Sequence, residues 1–224
     1  MNKKKIFIAI DTNNITIAKK IIRNTQTNKI KVGYKFGLEF FYSRDGRKFL
    51  SDLKNQTIFL DLKLNDIPNT VKSALRSLKY LKISYLTVHL SSGISALKAL
   101  KKEGKKIKIT GVTTLTSLDN KDLKEIGYTK KVNELVMHQA KLAKKANLDA
   151  IVCSGHEIKS VRKEFNKEII TPGIKIQNTI NDQKRVMKPN DAFAAGSDWL
   201  VIGRSITKGN IKKNFQNLLK IFED

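Results

Sequence analysis

Short apolar runs alternate along this chain with stretches in which apolar residues recur at helical spacing. The apolar runs are rich in Ile, Val, Phe and Thr, the residue types that favour buried strands. This pattern predicts eight strands, at Ile6–Ile10, Ile30–Gly33, Thr57–Lys63, Tyr85–His89, Ile107–Val112, Ala150–Cys153, Ile169–Thr171 and Trp199–Ile202.

Several of the stretches between these runs predict amphipathic helices. The first of them carries Ile17, Ala18, Ile21 and Ile22 on one helical face. Pro68 falls in the first turn of another, where its missing N–H breaks no helical hydrogen bond. The predicted helices are Ile15–Thr25, Ile67–Leu81, Val132–Ala146, Ile158–Phe165 and Ile211–Phe222.

Apolar strands that are each followed by a helix indicate a parallel sheet covered by helices. Eight such units in 224 residues predict an α/β fold, the closed (β/α)8 TIM barrel. No linker-like segment interrupts the chain, so we predict a single catalytic domain over residues 1–224. A doubly wound open sheet is the alternative, but it usually has a glycine-rich turn after its first strand, where this chain reads "AIDTNN".

The charge is strongly positive, with 44 Lys and Arg against 20 Asp and Glu and a formal net charge of +24. Such an excess often indicates nucleic-acid binding. Here the lysine pairs are spread over several predicted helices, and aromatic residues, which would supply stacking platforms, make up only 7% of the chain. We therefore interpret the charge as mainly compositional and predict no nucleic-acid partner, with attraction of an anionic substrate as the alternative.

The pattern of apolar runs does not indicate membrane insertion or export. No apolar run approaches the ~20 residues needed to span a bilayer, and "IFIAI" behind the basic N-terminus is too short for the core of a signal sequence. A single cysteine, Cys153, excludes an internal disulfide and argues against a thiolate metal site. We expect a cytoplasmic protein with no membrane contact.

Charged residues interrupt the apolar pattern at the end of the third strand, in "FLDLKLNDIPNT". Because side chains alternate along a strand, Asp61 and Lys63 share one inward face. TIM barrels place their catalytic residues at this end of the strands, and Asp11 and Lys31 come from neighbouring strands. A purely structural salt bridge is the alternative, but burying one often costs more in desolvation than it returns. We therefore predict a catalytic group in which carboxylates keep a lysine protonated as a general acid.

Two later loops predict a phosphate site. "TPGIK" follows the seventh strand and "IGRSIT" follows the eighth, and these two loops form the usual phosphate site of a TIM barrel. Gly203 lets the backbone approach an anion, and Arg204 supplies a forked cation.

These motifs resemble those of the orotidine 5′-phosphate decarboxylase family. "DLKLNDIPNT" is similar to the family signature D-x-K-x-x-D-I-P-N-T, and further matches occur in the family's order along essentially the whole chain. They are "AIDTNN", "KVG", "VTTLTS", "DAIVCS", "TPGI" and "VIGRSIT". The resemblance is closest to the short bacterial form, similar to the enteric enzyme.

The resemblance implies a (β/α)8 barrel homodimer that converts orotidine 5′-monophosphate to UMP and CO2 with no metal or organic cofactor. Lys63 would donate the proton to C6 of the pyrimidine, and Asp61 would lie beside the substrate carboxylate. Lys31 would complete the row of charges. Asp66 and Thr70 of one subunit would complete the neighbouring site.

The resemblance also assigns the residues that bind the rest of the substrate. Asp11 and Lys31 would hold ribose hydroxyls, and Thr116 would contact the pyrimidine. The phosphate would be held by Gln183, Gly203, Arg204 and Lys175, and a lid would close around residues 175–182. Lys175 stands where the family usually has arginine, and a lysine keeps the charge but loses the bidentate fork.

Sugar-phosphate enzymes with the same barrel, such as hexulose-phosphate synthase and ketogulonate-phosphate decarboxylase, are the alternative. They use Mg²⁺ and need an added acid near the end of the second strand, where this chain reads "KVGYK" and has no acid before Glu39. His89 and Cys153 also fall at strand ends, where a supporting hydrogen bond for His89 and a packing role for Cys153 are the simpler interpretations.

Overall fold

The computed structural model describes residues 3–176 and 187–223, and eight parallel strands close into a barrel in sequence order. This arrangement confirms the predicted (β/α)8 barrel and excludes the open doubly wound sheet. That residues 1–224 form one domain stays a prediction. The strands are β1 (Lys5–Ile10), β2 (Lys31–Phe36), β3 (Thr57–Leu64), β4 (Tyr85–His89), β5 (Lys108–Val112), β6 (Ala150–Val152), β7 (Glu168–Thr171) and β8 (Trp199–Ile202).

Helices cover the outside of the barrel. The apolar spacing predicted α1, α4, α7, α8 and α11, and of the other helices all but α5 have seven residues or fewer, too few to show a clear 3.6-residue period. None of the helices in the described ranges is long and apolar enough to cross a membrane. The helices are α1 (Ile15–Asn24), α2 (Leu38–Tyr42), α3 (Gly46–Asp52), α4 (Pro68–Ser77), α5 (Gly93–Glu103), α6 (Asn120–Glu125), α7 (Val132–Lys145), α8 (Ile158–Glu164), α9 (Pro189–Ala194), α10 (Arg204–Thr207) and α11 (Ile211–Glu223).

Strand β2 extends three residues beyond its predicted end at Gly33. Its outward residue Tyr34 is buried, and its hydroxyl lies 3.1 Å from the Thr25 hydroxyl and donates to the Ile22 carbonyl at the end of α1. This contact holds the second half of the strand against the helix layer. The inward face of β2 therefore carries a residue at its far end, Lys35, that the shorter predicted strand left out.

Large side chains fill the barrel interior at the N-terminal ends of the strands. Phe7 stacks on Trp199 with ring centroids 4.1 Å apart and meets Tyr85 edge-on at 5.2 Å. Gly33 makes room for this packing, since a Cβ there would lie 2.7 Å from the Phe7 ring. We call Phe7, Tyr85, Glu168 and Trp199 the barrel floor.

Glu168 is the charged member of the barrel floor. Its carboxylate accepts hydrogen bonds from the Tyr85 hydroxyl at 2.8 Å, from Lys108 Nζ at 2.8 Å and from Trp199 Nε1 at 3.3 Å. Lys5 Nζ lies 3.5 Å away. The N-terminal end of the barrel is therefore closed by packed aromatic rings and by the Glu168 carboxylate, which is hydrogen-bonded and paired with lysines.

Candidate active site

A cavity of about 270 Å³ opens at the C-terminal ends of the strands, opposite the barrel floor. This is the end at which TIM barrels carry their chemistry. Seven of the residues predicted for the site line it: Asp11, Asp61, Lys63, Thr116, Lys175, Gly203 and Arg204. The other lining residues are Ala9, Lys35, Phe59, Val112, Thr113, Thr114, Leu115, Val152, Cys153, Pro172, Gly173, Ile174, Val201 and Ser205.

Four charged side chains form a continuous row along one side of the cavity. Lys35 Nζ lies 3.3 Å from Asp11 Oδ1 and 3.5 Å from Asp61 Oδ2. Lys63 Nζ lies 2.9 Å from the same Asp61 oxygen. Asp61 is therefore the centre of the row, with one lysine on each side of a single carboxylate oxygen.

Asp61 is held ionised although it is largely buried, with 13% of its side chain exposed. Burial by itself raises the pKa of this carboxyl. The charges of Lys35 and Lys63, with hydrogen bonds from Lys63 and Thr87, outweigh burial and hold the pKa of Asp61 below its ordinary value. The site thus carries a fixed negative charge between two ammonium groups.

Lys31, predicted to complete this row, does not reach the cavity. It is exposed at the first position of β2, and its Nζ lies 5.7 Å from the centre of the Trp199 ring at the barrel floor. Lys35 takes the predicted place, four residues further along the same inward face and about 13 Å away at the rise of a strand. The assignment of Lys31 to catalysis and to ribose binding was therefore wrong, because β2 was predicted to end before its C-terminal half.

Asp66 and Thr70 lie beyond the end of β3 and do not line the cavity of their own chain. Asp66 is exposed and accepts a hydrogen bond from the Ile67 N–H at 2.7 Å. Residues 65–70 are all exposed, and Ile67 among them is 66% exposed. Their predicted part in a neighbouring site stays a prediction.

The loops after β7 and β8 form the other end of the cavity. Gly203, Arg204 and Ser205 line it from one side and Lys175 from the other. Lys175 N–H donates to the Met187 carbonyl, and Met187 N–H donates to the Gly173 carbonyl, so the two loop ends pair. Gln183 and residues 177–182 of the predicted lid lie outside the described residues.

The segment after β5 forms a third wall. Thr116 lines the cavity with Thr113 and Thr114. Gln139, buried on α7, accepts hydrogen bonds through its side-chain oxygen from the Thr114 N–H at 2.8 Å and from the Thr114 hydroxyl at 3.2 Å. This support fixes a run of hydroxyl groups opposite the charged row.

His89 and Cys153 are the two other titratable groups near the cavity. Burial and the charge of Lys63 lower the pKa of His89, so it is neutral at neutral pH. Burial raises the pKa of Cys153, which keeps its thiol protonated and unsuited to nucleophilic attack. Within residues 3–176 and 187–223, no three His, Cys, Asp or Glu side chains come together as a metal site.

Sequence reasoning missed Lys35, Thr113 and Ser205. Lys35 had a usable signal, because residues 31, 33 and 35 share one strand face if β2 continues to Phe36. Thr113 and Ser205 had none, since hydroxyl residues are common in the loops after strands.

The sequence of the chain matches a family of known enzymes. Residues 4–214 match the family model described as orotidine 5′-phosphate decarboxylase / HUMPS family. The orotidine 5′-phosphate decarboxylases of Bacillus cereus (strain AH820) and Bacillus cytotoxicus are each 40% identical over 219 residues, which covers 92% of this chain and 91% of each relative.

Solved structures agree in fold. A crystal structure of orotidine 5′-phosphate decarboxylase from Lactobacillus acidophilus superposes with a TM-score of 0.82 and 29% identity, covering 99% of this chain and 100% of that one. The structure of the enzyme from Methanocaldococcus jannaschii in complex with the inhibitor BMP superposes with a TM-score of 0.79, and the alignment covers 100% of each chain. At 22% identity this likeness supports the fold alone. From its sequence match over most of its length, the chain belongs to the orotidine 5′-phosphate decarboxylase / HUMPS family.

Proposed function

We propose that the chain is a carboxy-lyase that decarboxylates orotidine 5′-monophosphate to UMP and CO2 in pyrimidine biosynthesis. The observation that carries this proposal is the position of Asp61 between Lys35 and Lys63 at the wall of a cavity large enough for a small ligand. Membership of the family and the 40% identity to named decarboxylases support the same reaction.

The reaction needs fixed charges more than it needs a nucleophile. When the bond between C6 and the carboxylate breaks, both electrons stay at C6 in an orbital that the pyrimidine ring cannot delocalise. An ammonium group held beside C6 stabilises this charge as it develops and then transfers a proton to it. Lys63 is the group we assign to both steps, and it becomes neutral when C6 is protonated.

Asp61 and Lys35 hold this donor in place. Asp61 bonds Lys63 directly at 2.9 Å, which holds the ammonium group in one position at the cavity wall. A substrate carboxylate placed beside Asp61 is repelled, and the repulsion is relieved as CO2 leaves. Lys35 balances the second negative charge, which the substrate carboxylate adds beside Asp61. With Asp11, Lys35 also takes the ribose-binding role that the resemblance had assigned to Lys31.

The phosphate belongs at the end of the cavity formed by Gly203, Arg204 and Lys175. These residues offer a backbone with no side chain in the way and two cations, which suit a doubly charged group. Gln183 is the further phosphate ligand that the resemblance implies, and Thr116 is the residue assigned to the pyrimidine. Binding energy from the phosphate then positions the reacting end of the substrate.

A homodimer would complete the site. Asp66 and Thr70 do not line the cavity of their own chain and lie on an exposed stretch that includes Ile67 and Pro68, an arrangement suited to a subunit contact. Asp66 of one subunit would then extend the charged row of the other. No cofactor, no nucleic-acid partner and a cytoplasmic location remain the predictions made from the sequence.

The family description also covers HUMPS enzymes, so sugar-phosphate chemistry is the second candidate. We expect this chemistry to need an acidic residue near the end of β2, and Glu39 is the candidate for that position. Glu39 is exposed and is not among the residues that line the cavity. This placement favours the pyrimidine nucleotide as substrate.

The test is turnover of orotidine 5′-monophosphate by the purified protein in EDTA, followed by loss of the orotate absorbance. We expect turnover in the wild type and a fall in kcat of about 10⁴-fold in Lys63→Ala, because one side chain supplies both charge stabilisation and the proton. Lys159→Ala, on the outer helix α8, is the matched control and should keep full activity. Absent turnover in EDTA, with turnover of a sugar phosphate once Mg²⁺ is added, would move the protein to the second candidate.

A further inference from the structure

The backbone of Lys63 is in an unusual conformation for a residue inside a strand. Leu60 pairs with Leu86 on β4, but Leu64 pairs with Val88, so β3 uses two more residues than β4 over the same distance. Within this irregularity Lys63 has φ 49°, in the left-handed region that side-chain-bearing residues rarely occupy. Such strain persists only where the surroundings enforce it.

One buried hydroxyl connects this backbone to the catalytic carboxylate. Thr87 on β4 has no exposed surface. Its Oγ1 accepts a hydrogen bond from the Lys63 N–H at 2.7 Å and donates one to Asp61 Oδ1 at 3.0 Å. A threonine hydroxyl has one proton and two lone pairs, so it makes both bonds at once.

The direction of each bond is fixed by chemistry. A backbone N–H can only donate and an ionised carboxylate can only accept, so the hydroxyl proton must point at Asp61. Because Oδ1 is taken by Thr87, the other oxygen, Oδ2, is left facing both Lys35 and Lys63. The stiff χ1 of a β-branched residue keeps this arrangement in one geometry.

We propose that Thr87 is a positioning residue for the decarboxylation, holding the strained backbone of Lys63 and the orientation of the Asp61 carboxylate together. It is not among the residues that line the cavity, so it acts through Asp61 and Lys63 and not on the substrate. The proposal rests on the proposed function, because it concerns the geometry of that proton donor.

The test compares Thr87→Val with Thr87→Ser. Valine keeps the shape and removes the hydroxyl, and a small misplacement of catalytic groups can cost ~10²-fold in rate, so we expect kcat to fall between about 10- and 100-fold. KM should change less than about twofold, because binding groups elsewhere in the cavity are untouched. Serine restores the hydroxyl and should recover kcat to within about fivefold of the wild type. The remaining loss of kcat would come from the freer χ1 rotation of serine.

Thr110→Val is the matched control. Thr110 lies directly opposite Thr87 on β5, is equally buried, and its hydroxyl donates to the Lys108 carbonyl at 3.4 Å. It should lower the unfolding temperature by no more than Thr87→Val does, because it loses one weak hydrogen bond, and it should leave kcat unchanged. A folded Thr87→Val with wild-type kcat, or a Thr110→Val with the same loss of kcat, would overturn the positioning role.

A crystal structure of Thr87→Val separates this proposal from the proposed function. If the wild type itself does not turn over orotidine 5′-monophosphate, the function is wrong, and the positioning role is then decided by geometry alone. We expect Lys63 to leave the left-handed region or the Asp61 carboxylate to rotate in the variant. An unchanged Lys63 φ and an unchanged Asp61 orientation would overturn the proposal whatever the activity.

Discussion

The two ends of the barrel each gather lysines around one carboxylate, yet they differ in what lies beside it. At the C-terminal end, Asp61 bonds Lys35 and Lys63 at the wall of an open cavity. At the N-terminal end, Glu168 bonds Lys108 and also accepts from Tyr85 and Trp199, whose rings fill the barrel interior.

This difference teaches that a charged cluster gains a function from the space it faces and not from its composition. Burial raises the pKa of both carboxyls, and in both cases lysine partners and hydrogen bonds bring it below the ordinary value. Only Asp61 faces space that a ligand could enter. The cluster at the cavity is therefore the catalytic candidate, and the one at the barrel floor closes and stabilises the fold.

The strongest test of the comparison uses two lysines on the same face of β2. Lys35→Ala removes a cation bonded to Asp61 and should lower kcat by about 10²- to 10³-fold, the typical cost of losing one preorganised charge contact. Lys31→Ala removes an exposed cation over Trp199 and should leave kcat within about twofold, with a stability loss below about 1 kcal/mol. Steady-state kinetics on the pair measures both effects.

The same two variants, Lys35→Ala and Lys31→Ala, can also contradict the assignment of different roles to the two ends of the barrel. Equal losses of kcat in the two variants, with unchanged unfolding temperatures, would mean that the two ends of the barrel communicate and that the separation of roles is wrong.

A second test removes the charge at the barrel floor. Glu168→Gln keeps the shape but leaves Lys108 without its carboxylate partner, and we expect a loss of about 1–3 kcal/mol in the free energy of unfolding. The measurement is chemical denaturation, with kcat as the control quantity. Because the cavity is at the other end of the barrel, kcat should stay at the wild-type value. A fall in kcat at unchanged stability would assign the floor a catalytic role.

The smallest expected effect is a pH dependence of the same substitution. The pKa of Glu168 is lowered in the folded protein, so its contribution to stability is present above its unfolded value of about 4.3 and is lost as pH falls through the lower folded pKa. The difference in unfolding temperature between the wild type and Glu168→Gln should therefore shrink as the pH is lowered below about 4. Thermal unfolding followed by circular dichroism from neutral to acid pH measures it. A constant difference would mean that Glu168 stabilises the fold through hydrogen bonds that do not depend on the ionisation of its carboxylate.

Much of this architecture could be predicted from the sequence, because strand periodicity is a local property. The alternation in "FLDLKL" placed Asp61 and Lys63 on one inward face, and both line the cavity. The eight apolar runs sufficed for the closed barrel, and the loops after β7 and β8 were found from their position in it.

The errors and omissions came from interactions between distant parts of the chain. Strand β2 continues past Gly33 because Tyr34 bonds the end of α1, and nothing local to "KVGYKF" reports that contact. The irregular pairing of β3 with β4, and with it the bond from Lys63 to Thr87, likewise depends on two segments 24 residues apart. Pairing irregularities of this kind change no residue pattern and appear only when the strands are side by side.

The stacked Phe7–Trp199 pair at the barrel floor also gives the protein an intrinsic fluorescence probe. Trp199 is the single tryptophan of the chain, is 1% exposed and lies against Phe7 in the barrel floor. Its fluorescence, excited at the red edge where tyrosine does not absorb, therefore reports on the packing of the barrel floor. Opening of the floor should shift this emission to longer wavelength as water reaches the indole. Unfolding of this end of the barrel can thus be followed without a label.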